Sequence, residues 1–286
     1  MFRRIAVFAA AGGLALSIGS GAASAAGVTL PGESQTIHPA GVAPLSTDWR
    51  FTVGLGAGLA PDYEGSKDYV FVPIPTFRAA KGYTDYALNG TTFRSNMINH
   101  PNWRFGPYVR YIKERDYVKD RPVSDVNIAD ASLQFGLIGG YEFHIEQVPF
   151  KSTIGVMAEG GYDVLNGNGW TLTPEINWGI PVTSRLSMRL GVDATVASGD
   201  YMGNYFNVSG PQYRKNKRIG STYKAGSTQL YKAGVSLGTS YAITEHWGVS
   251  GIATYHQLVN DAADSPITKR GSKHQGFAGI SGTYSW

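Results

Sequence analysis

The chain contains no cysteine in its 286 residues, so its stability must come from hydrogen bonding and burial rather than from disulfides. It also lacks long hydrophobic runs. The longest, Ile5 to Ile18, has 14 residues and is interrupted by Gly12-Gly13. A helix that spans a bilayer needs roughly 20. No later segment approaches a continuous apolar 18-mer, which excludes helical membrane spans. Charge is sparse as well, at 16% of residues, with a formal net charge of +4. Removing residues 1–25 takes away Arg3 and Arg4 and no acid, leaving 23 basic against 21 acidic residues, a net +2. That balance gives no support to a nucleic-acid partner, despite a pI near 9.1.

What is present points to export. Arg3 and Arg4 form a positive head, the apolar stretch follows, and Ala23-Ser-Ala25 supplies the small-x-small pattern of a signal-peptidase site. Residues 1–25 therefore read as a secretory signal peptide cleaved after Ala25. Residues 26–47 carry three prolines without periodicity and read as a flexible periplasmic leader. Residues 48–286 follow a different rule, that of strand after strand.

In Trp49–Leu59, Phe51, Val53, Leu55, Ala57 and Leu59 alternate with Thr52, Gly54, Gly56 and Gly58. The same dyad recurs at 103–114, 133–145 and 186–196, with further candidates at 69–79, 150–162, 170–181, 229–242, 245–257 and 275–286. Segments near 10–14 residues suit tilted membrane-spanning strands of about 9–11 residues plus an overhang; the strands of a soluble sandwich are nearer 5–6. Mean hydropathy of −0.17 is no objection, because alternation hides a barrel's hydrophobicity. Glycine (37) suits a crowded interior, and tyrosine (17) suits the membrane interfaces.

Connections alternate between short (146–149, 182–184, 242–245) and long (115–130, 163–169, 199–228, 258–274). Outer-membrane barrels show that asymmetry, with tight periplasmic turns and longer extracellular loops. The Asn89-Gly90 pair splits 83–98 into a hairpin of two short strands. The expected fold is an all-β, antiparallel transmembrane barrel with both termini periplasmic. Twelve strands is the count, with 10 and 14 left open. The location implied is the outer membrane of a Gram-negative bacterium.

Alternation assigns Arg104, Arg110, Glu142, Glu159, Glu175, Arg185, Arg189, Asp193 and Lys232 to the lumen. On the lipid face a midplane Arg or Lys would cost about 2–4 kcal/mol, so this placement supports the register. Such charges either pair across the lumen and plug it, or line a narrow polar channel. The basic run containing Arg214, Lys215, Lys217 and Arg218 falls in an outer loop, at the height of lipopolysaccharide phosphates. It is either a contact for them or a solvated loop. Asp116, Asp120, Asp125 and Asp130 lack the spacing of a calcium loop, and neither a metal nor a cofactor is expected. Hydrolase chemistry is not expected either. No His-x-Ser pair occurs, and Ser250 lies six residues from His256 on one strand, roughly 20 Å away.

Several stretches resemble the MipA/OmpV family: Pro61-Asp-Tyr-Glu-Gly-Ser66 with Tyr69 and Pro73-Ile-Pro75; Gly199-Asp-Tyr201 leading to Tyr205-Phe206-Asn-Val208; Leu258 to Ile267; and the aromatic C-terminus. The resemblance runs over residues 49–286 and implies an outer-membrane β-barrel. It also implies a role as a structural or scaffold component of the cell envelope, with murein synthases or hydrolases as partners. The family takes its name from an MltA-interacting protein, MltA being a murein transglycosylase. A narrow, porin-like channel for small solutes is the alternative.

Overall fold

The computed structural model describes residues 47–286 apart from 116, 127–128 and 147–151. The signal peptide and nearly all of the leader lie outside the described residues. The strands are β1 (Arg50–Pro61), β2 (Tyr69–Lys81), β3 (Thr84–Asn89), β4 (Thr92–Asn96), β5 (Trp103–Ile112), β6 (Ser132–Ile145), β7 (Ser152–Asp163), β8 (Trp170–Pro181), β9 (Leu186–Ala197), β10 (Gln229–Ala242), β11 (Trp247–Leu258) and β12 (His274–Ser285). Each pairs antiparallel with its sequence neighbours, and β1 pairs with β12 to close a 12-stranded barrel. Reciprocal bonds of 3.0 Å between Phe51 and Trp286 fasten the seam. Closure leaves no sheet edge running the height of the wall.

Alternation fixes which side chains meet lipid. Leu55 and Phe71 are 71% and 72% exposed, with Val192 and Ile280 similarly bare, while Thr52, Gln134, Glu142, Glu175 and Asn177 are buried inside. Exposed apolar groups of that size have a bilayer as their natural solvent. At the periplasmic end Trp49, Phe51, Trp286, Tyr284 and Trp247 form a chain of ring contacts with centroids 5.0–6.3 Å apart. Trp103, Tyr141 and Phe143 continue this interfacial belt on the other side of the barrel.

The β3–β4 hairpin forms, but its turn differs from expectation. Asn89 pairs with Thr92, so Gly90-Thr91 are the central residues rather than Asn89-Gly90. Only Gly90 has positive φ, at 56°. Positive φ at the first central residue alone is the type II′ pattern, which places glycine first.

The long outer connections are not bare loops. They carry short helices α1 (Arg121–Val126), α2 (Gly199–Phe206), α3 (Gly210–Lys215), α4 (Asn260–Asp264) and α5 (Pro266–Arg270). Helices of one or two turns are unstable alone, and packing on one another holds them.

Candidate functional site: a plugged lumen

Four outer connections and the strand ends beneath them build a plug. One apolar cluster joins Tyr201, Met202, Tyr205 and Phe206 of α2 to Tyr231 of β10, Leu258 of β11 and Ala262 of α4. A second joins Tyr63 after β1, Val118, Val123 and Val126 after β5, Val208 and Ile219 after β9, and Ile267 of α5. Ser198 starts α2 by accepting from the Tyr201 N–H, and its hydroxyl also accepts from the Trp170 N–H at 3.0 Å. Ser265 ties α5 to α2 by donating to the Phe206 carbonyl at 2.7 Å. Arg270 then bridges α5 to Asp120 at 3.1–3.2 Å and to the Arg218 carbonyl at 2.7 Å.

Polar groups lock the same plug from below. Glu64, from the buried turn after β1, accepts from Lys232 Nζ at 3.2 Å and from the Tyr201 hydroxyl at 3.2 Å. Tyr201 and Tyr231 share a hydroxyl contact of 3.2 Å. Burial, then the nearby Glu64 carboxylate, pushes the Tyr201 hydroxyl well above its ordinary pKa, so it stays a neutral donor. Arg115 is fully buried; its guanidinium donates to the Tyr205 carbonyl at 2.9 Å and sits 5.8 Å from the ring centres of both Tyr63 and Tyr205.

Below the plug, the lumen charges pair across strands. Arg104 meets Glu142 at 2.6 Å, and Arg189 lies 4.0 Å from the same carboxylate while donating to Asn177 at 2.8 Å. Arg110 meets Glu159 at 2.8 Å and donates to Thr92 and Gln134 at 3.1 Å each. Glu175 accepts from Asn177 at 3.1 Å. Asp193 accepts from His256 at 3.0 Å. Of the nine charges assigned inward by alternation, Arg185 is the exception. It sits exposed in the β8–β9 turn, because β9 begins at Leu186 and alternation has no meaning before it. Arg214, Lys215, Lys217 and Arg218 are exposed on α3 and the 3-10 turn after it.

Glu64, Arg94 and Arg115 join this buried set without a signal in the strand pattern, since Glu64 and Arg115 lie in connections and Arg94 in a five-residue strand. One motif was also missed. Gly234-Val235-Ser236-Leu237-Gly238 fits the G-x-S-x-G spacing of a nucleophile elbow. It lies inside β10, where an elbow would require a strand-to-helix turn. Gly234 has another use. A Cβ there would collide with the His256 ring, so its absence lets His256 lie across β10 and reach Asp193 on β9. His256 Nε2 is met by Asp193 at 3.0 Å, and its buried Nδ1 has no hydrogen-bond partner among the described residues.

A closed twelve-stranded barrel with lipid-facing apolar rows, an aromatic belt, short periplasmic turns and long outer loops is an outer-membrane β-barrel protein of the Gram-negative type. The chain belongs to the MipA family: residues 53–286 match the family described as MltA-interacting protein MipA. Comparison with curated protein sequences returned no match. Among solved structures, the NanC porin aligns with 81% of this chain and 98% of its own at 8% identity, with a TM-score of 0.42. An outer membrane channel from Pseudomonas putida F1 aligns with 88% of this chain and all of its own at 9% identity and TM-score 0.41. The outer membrane channel DcaP of Acinetobacter baumannii gives 84%, 96%, 9% and 0.38.

Proposed function

We propose that this protein is a closed, non-enzymatic outer-membrane anchor whose periplasmic rim docks peptidoglycan-remodelling enzymes, murein synthases or hydrolases. The observation that carries the reading is the plug. Outer connections pack into buried apolar clusters over a lumen whose charges are already paired. A solute path would have to break both, at a cost of several kcal/mol per buried pair. The face that remains for partners is the periplasmic rim, with Met97 and Ile243 exposed on its turns. The family's namesake, described as interacting with MltA, supports a murein enzyme as that partner. On the opposite face, Arg214, Lys215, Lys217 and Arg218 project outward where lipopolysaccharide phosphates would lie, and they support a contact to those phosphates.

Affinity capture from solubilised envelopes is the direct test, with murein synthases or hydrolases expected among the bound proteins; their absence counts against the anchor. The competing reading is a narrow polar channel, favoured by the concentration of charge on β5–β9. Planar-bilayer recording separates the two. The anchor predicts no current above bare lipid, whereas stable unitary conductance would favour the channel.

A further inference from the structure

The periplasmic half of the lumen has a wall of short hydroxyls that neither the plug nor the ion pairs use. Strand register sets Ser187, Ser240, Ser250 and Ser281 side by side on β9 to β12. Toward the rim follow Thr283, paired with Gly248 and Gly54, and then Ser285, bonded to Thr52 at 2.8 Å. One row further in stand Arg189, Gly238, Ile252 and Gly279, and beyond them Gly191, Ser236, Thr254 and Phe277.

The charged side chains opposite do not cross to this wall. Arg104 bonds Glu142 and the carbonyls of His100 and Trp103, while Arg189 Nη1 bonds Asn177 and lies 4.0 Å from Glu142. None of these partners belongs to β10, β11, β12 or β1. Serine and glycine are too short to reach back, so a recess separates the two sides. Water enters it from the periplasmic end. Side-chain exposure is 15–17% at Arg78, Arg104 and Arg189 and falls to 8–9% at Arg110 and Lys232, further out. Ser250, Ser281 and Thr283 are likewise half-buried, whereas Ser236, Thr254 and Phe277 above them are buried.

Polar groups at the closed end lack partners. Thr254 is 7% exposed and its hydroxyl bonds none of the described residues. Two positions further in, His256 is 3% exposed with Nδ1 equally unmet, and its Cδ2 edge lies on Gly234, which turns Nδ1 away from that strand. Arg189 spends only Nη1, leaving Nε and Nη2 without a bond among the described residues. A buried polar group without a partner is costly, and a ligand that meets it recovers that cost.

These groups specify a ligand chemistry. The guanidinium edge donates in the fork that suits a carboxylate, the hydroxyls donate and accept, and a neutral His256 ring bonded through Nε2 to Asp193 can only accept at Nδ1. Ile252 adds a half-buried apolar surface between the serine row and Thr254. A sugar acid offers all the complements: a carboxylate, hydroxyls that donate and accept, and an apolar C–H face. We propose that the recess is a blind, periplasm-facing site for a carboxylated saccharide, its carboxylate on Arg189 and its hydroxyls on the serine row and Thr254. The recess takes no part in the docking reading. Capture of no murein enzyme would leave it standing.

The test is calorimetric titration of the refolded full-length protein in detergent with N-acetylmuramic acid. N-acetylglucosamine, which lacks the lactyl carboxylate, and lactate, which lacks the ring, are titrated beside it. Expected is saturable one-to-one binding of N-acetylmuramic acid, with the other two each roughly tenfold weaker or more, the loss of about one charge-assisted hydrogen bond or a few neutral ones. Arg189→Gln should erase the preference for the acid over the neutral sugar. Thr254→Val keeps the shape and removes a hydroxyl that holds nothing in the wall, so the folded barrel's heat-modifiable migration should persist while affinity for the acid falls roughly three- to tenfold. Should Arg189→Gln not fold, Thr254→Val decides. Absence of saturable binding overturns the proposal. So does equal affinity for the acid and the neutral sugar, and so does an affinity indifferent to Thr254→Val, which would put the saccharide elsewhere on the protein.

Discussion

The lumen wall has two unlike arcs. From β5 to β9 the inward positions hold Arg104, Arg110, Glu142, Glu159, Glu175, Arg189 and Asp193, long side chains joined by directional pairs. On β12 and β1, and at the outer end of β2, they hold Gly58, Ala60, Val70, Val72, Phe277 and Gly279. Here space is filled by laying side chains flat on glycine: a Cβ on Gly58 would meet the Phe277 ring at 2.9 Å, and one on Gly279 would meet Ile74 at 2.6 Å. Both arcs obey the same two-residue alternation, yet they pack by different physics. The charged arc fixes strand register through contacts that tolerate no slip. The apolar arc tolerates a missing neighbour: β2 pairs with β1 from Ala80 to Tyr69 but with β3 only from Lys81 to Thr76.

The largest effect should come from the charged arc. Arg110 and Glu159 are both buried, so Arg110→Met leaves a carboxylate without its cation in a low-dielectric site. The expected loss is about 3–5 kcal/mol in urea unfolding from vesicles. The double variant Arg110→Met/Glu159→Leu should recover most of it. A double variant as unstable as the single one would mean that the pair holds register rather than merely neutralising itself.

The apolar arc should yield less. Gly58→Ala pushes a methyl against the Phe277 ring and the Ala278 carbonyl, both 2.9 Å from the new carbon. Overpacking of this kind costs about 1–3 kcal/mol. Adding Phe277→Leu should relieve part of it, with a coupling of roughly 0.5 kcal/mol or more. Strict additivity would show that the backbone carbonyl, not the ring, sets the limit.

This contrast also explains what could be read without coordinates. The strands were legible because lipid on one side and a crowded lumen on the other impose a period of two, so Phe51 to Leu59 declare their face unaided. Cross-lumen partners were not, since alternation says which way Arg110 points but not that Glu159 waits two strands away. The bulge between Leu230 and Lys232 breaks the period locally and puts both Tyr231 and Lys232 inside. The plug was least legible. Its helices run five to eight residues, too short for a helical period, and Glu64 and Arg115 are buried by connections folding over them. Gly234 reads as one glycine among 37, because its role depends on a histidine that only strand pairing brings beside it.

The smallest expected effect belongs to the plug, where both arcs end. Asp261 on α4 accepts from Gln229 at 2.8 Å and from the Gly226 N–H at 2.5 Å. Those bonds, the Gln229 side chain foremost, hold its carboxyl below the ordinary carboxylate range. A pKa depressed by folding means that the contribution is complete above the unfolded value, near 4, and is lost as pH falls through the folded one. Protection of the Gly226 amide from hydrogen exchange, corrected for intrinsic rate, should therefore drop below about pH 4. Asp261→Asn should be less protected at neutral pH and flat across that range. The strand amides beneath, bonded to neighbours that do not titrate, should keep their protection throughout. A simultaneous drop in β10 and β11 would show instead that the plug and the wall unfold as one unit, and the separation of outer cap from barrel would fail with it.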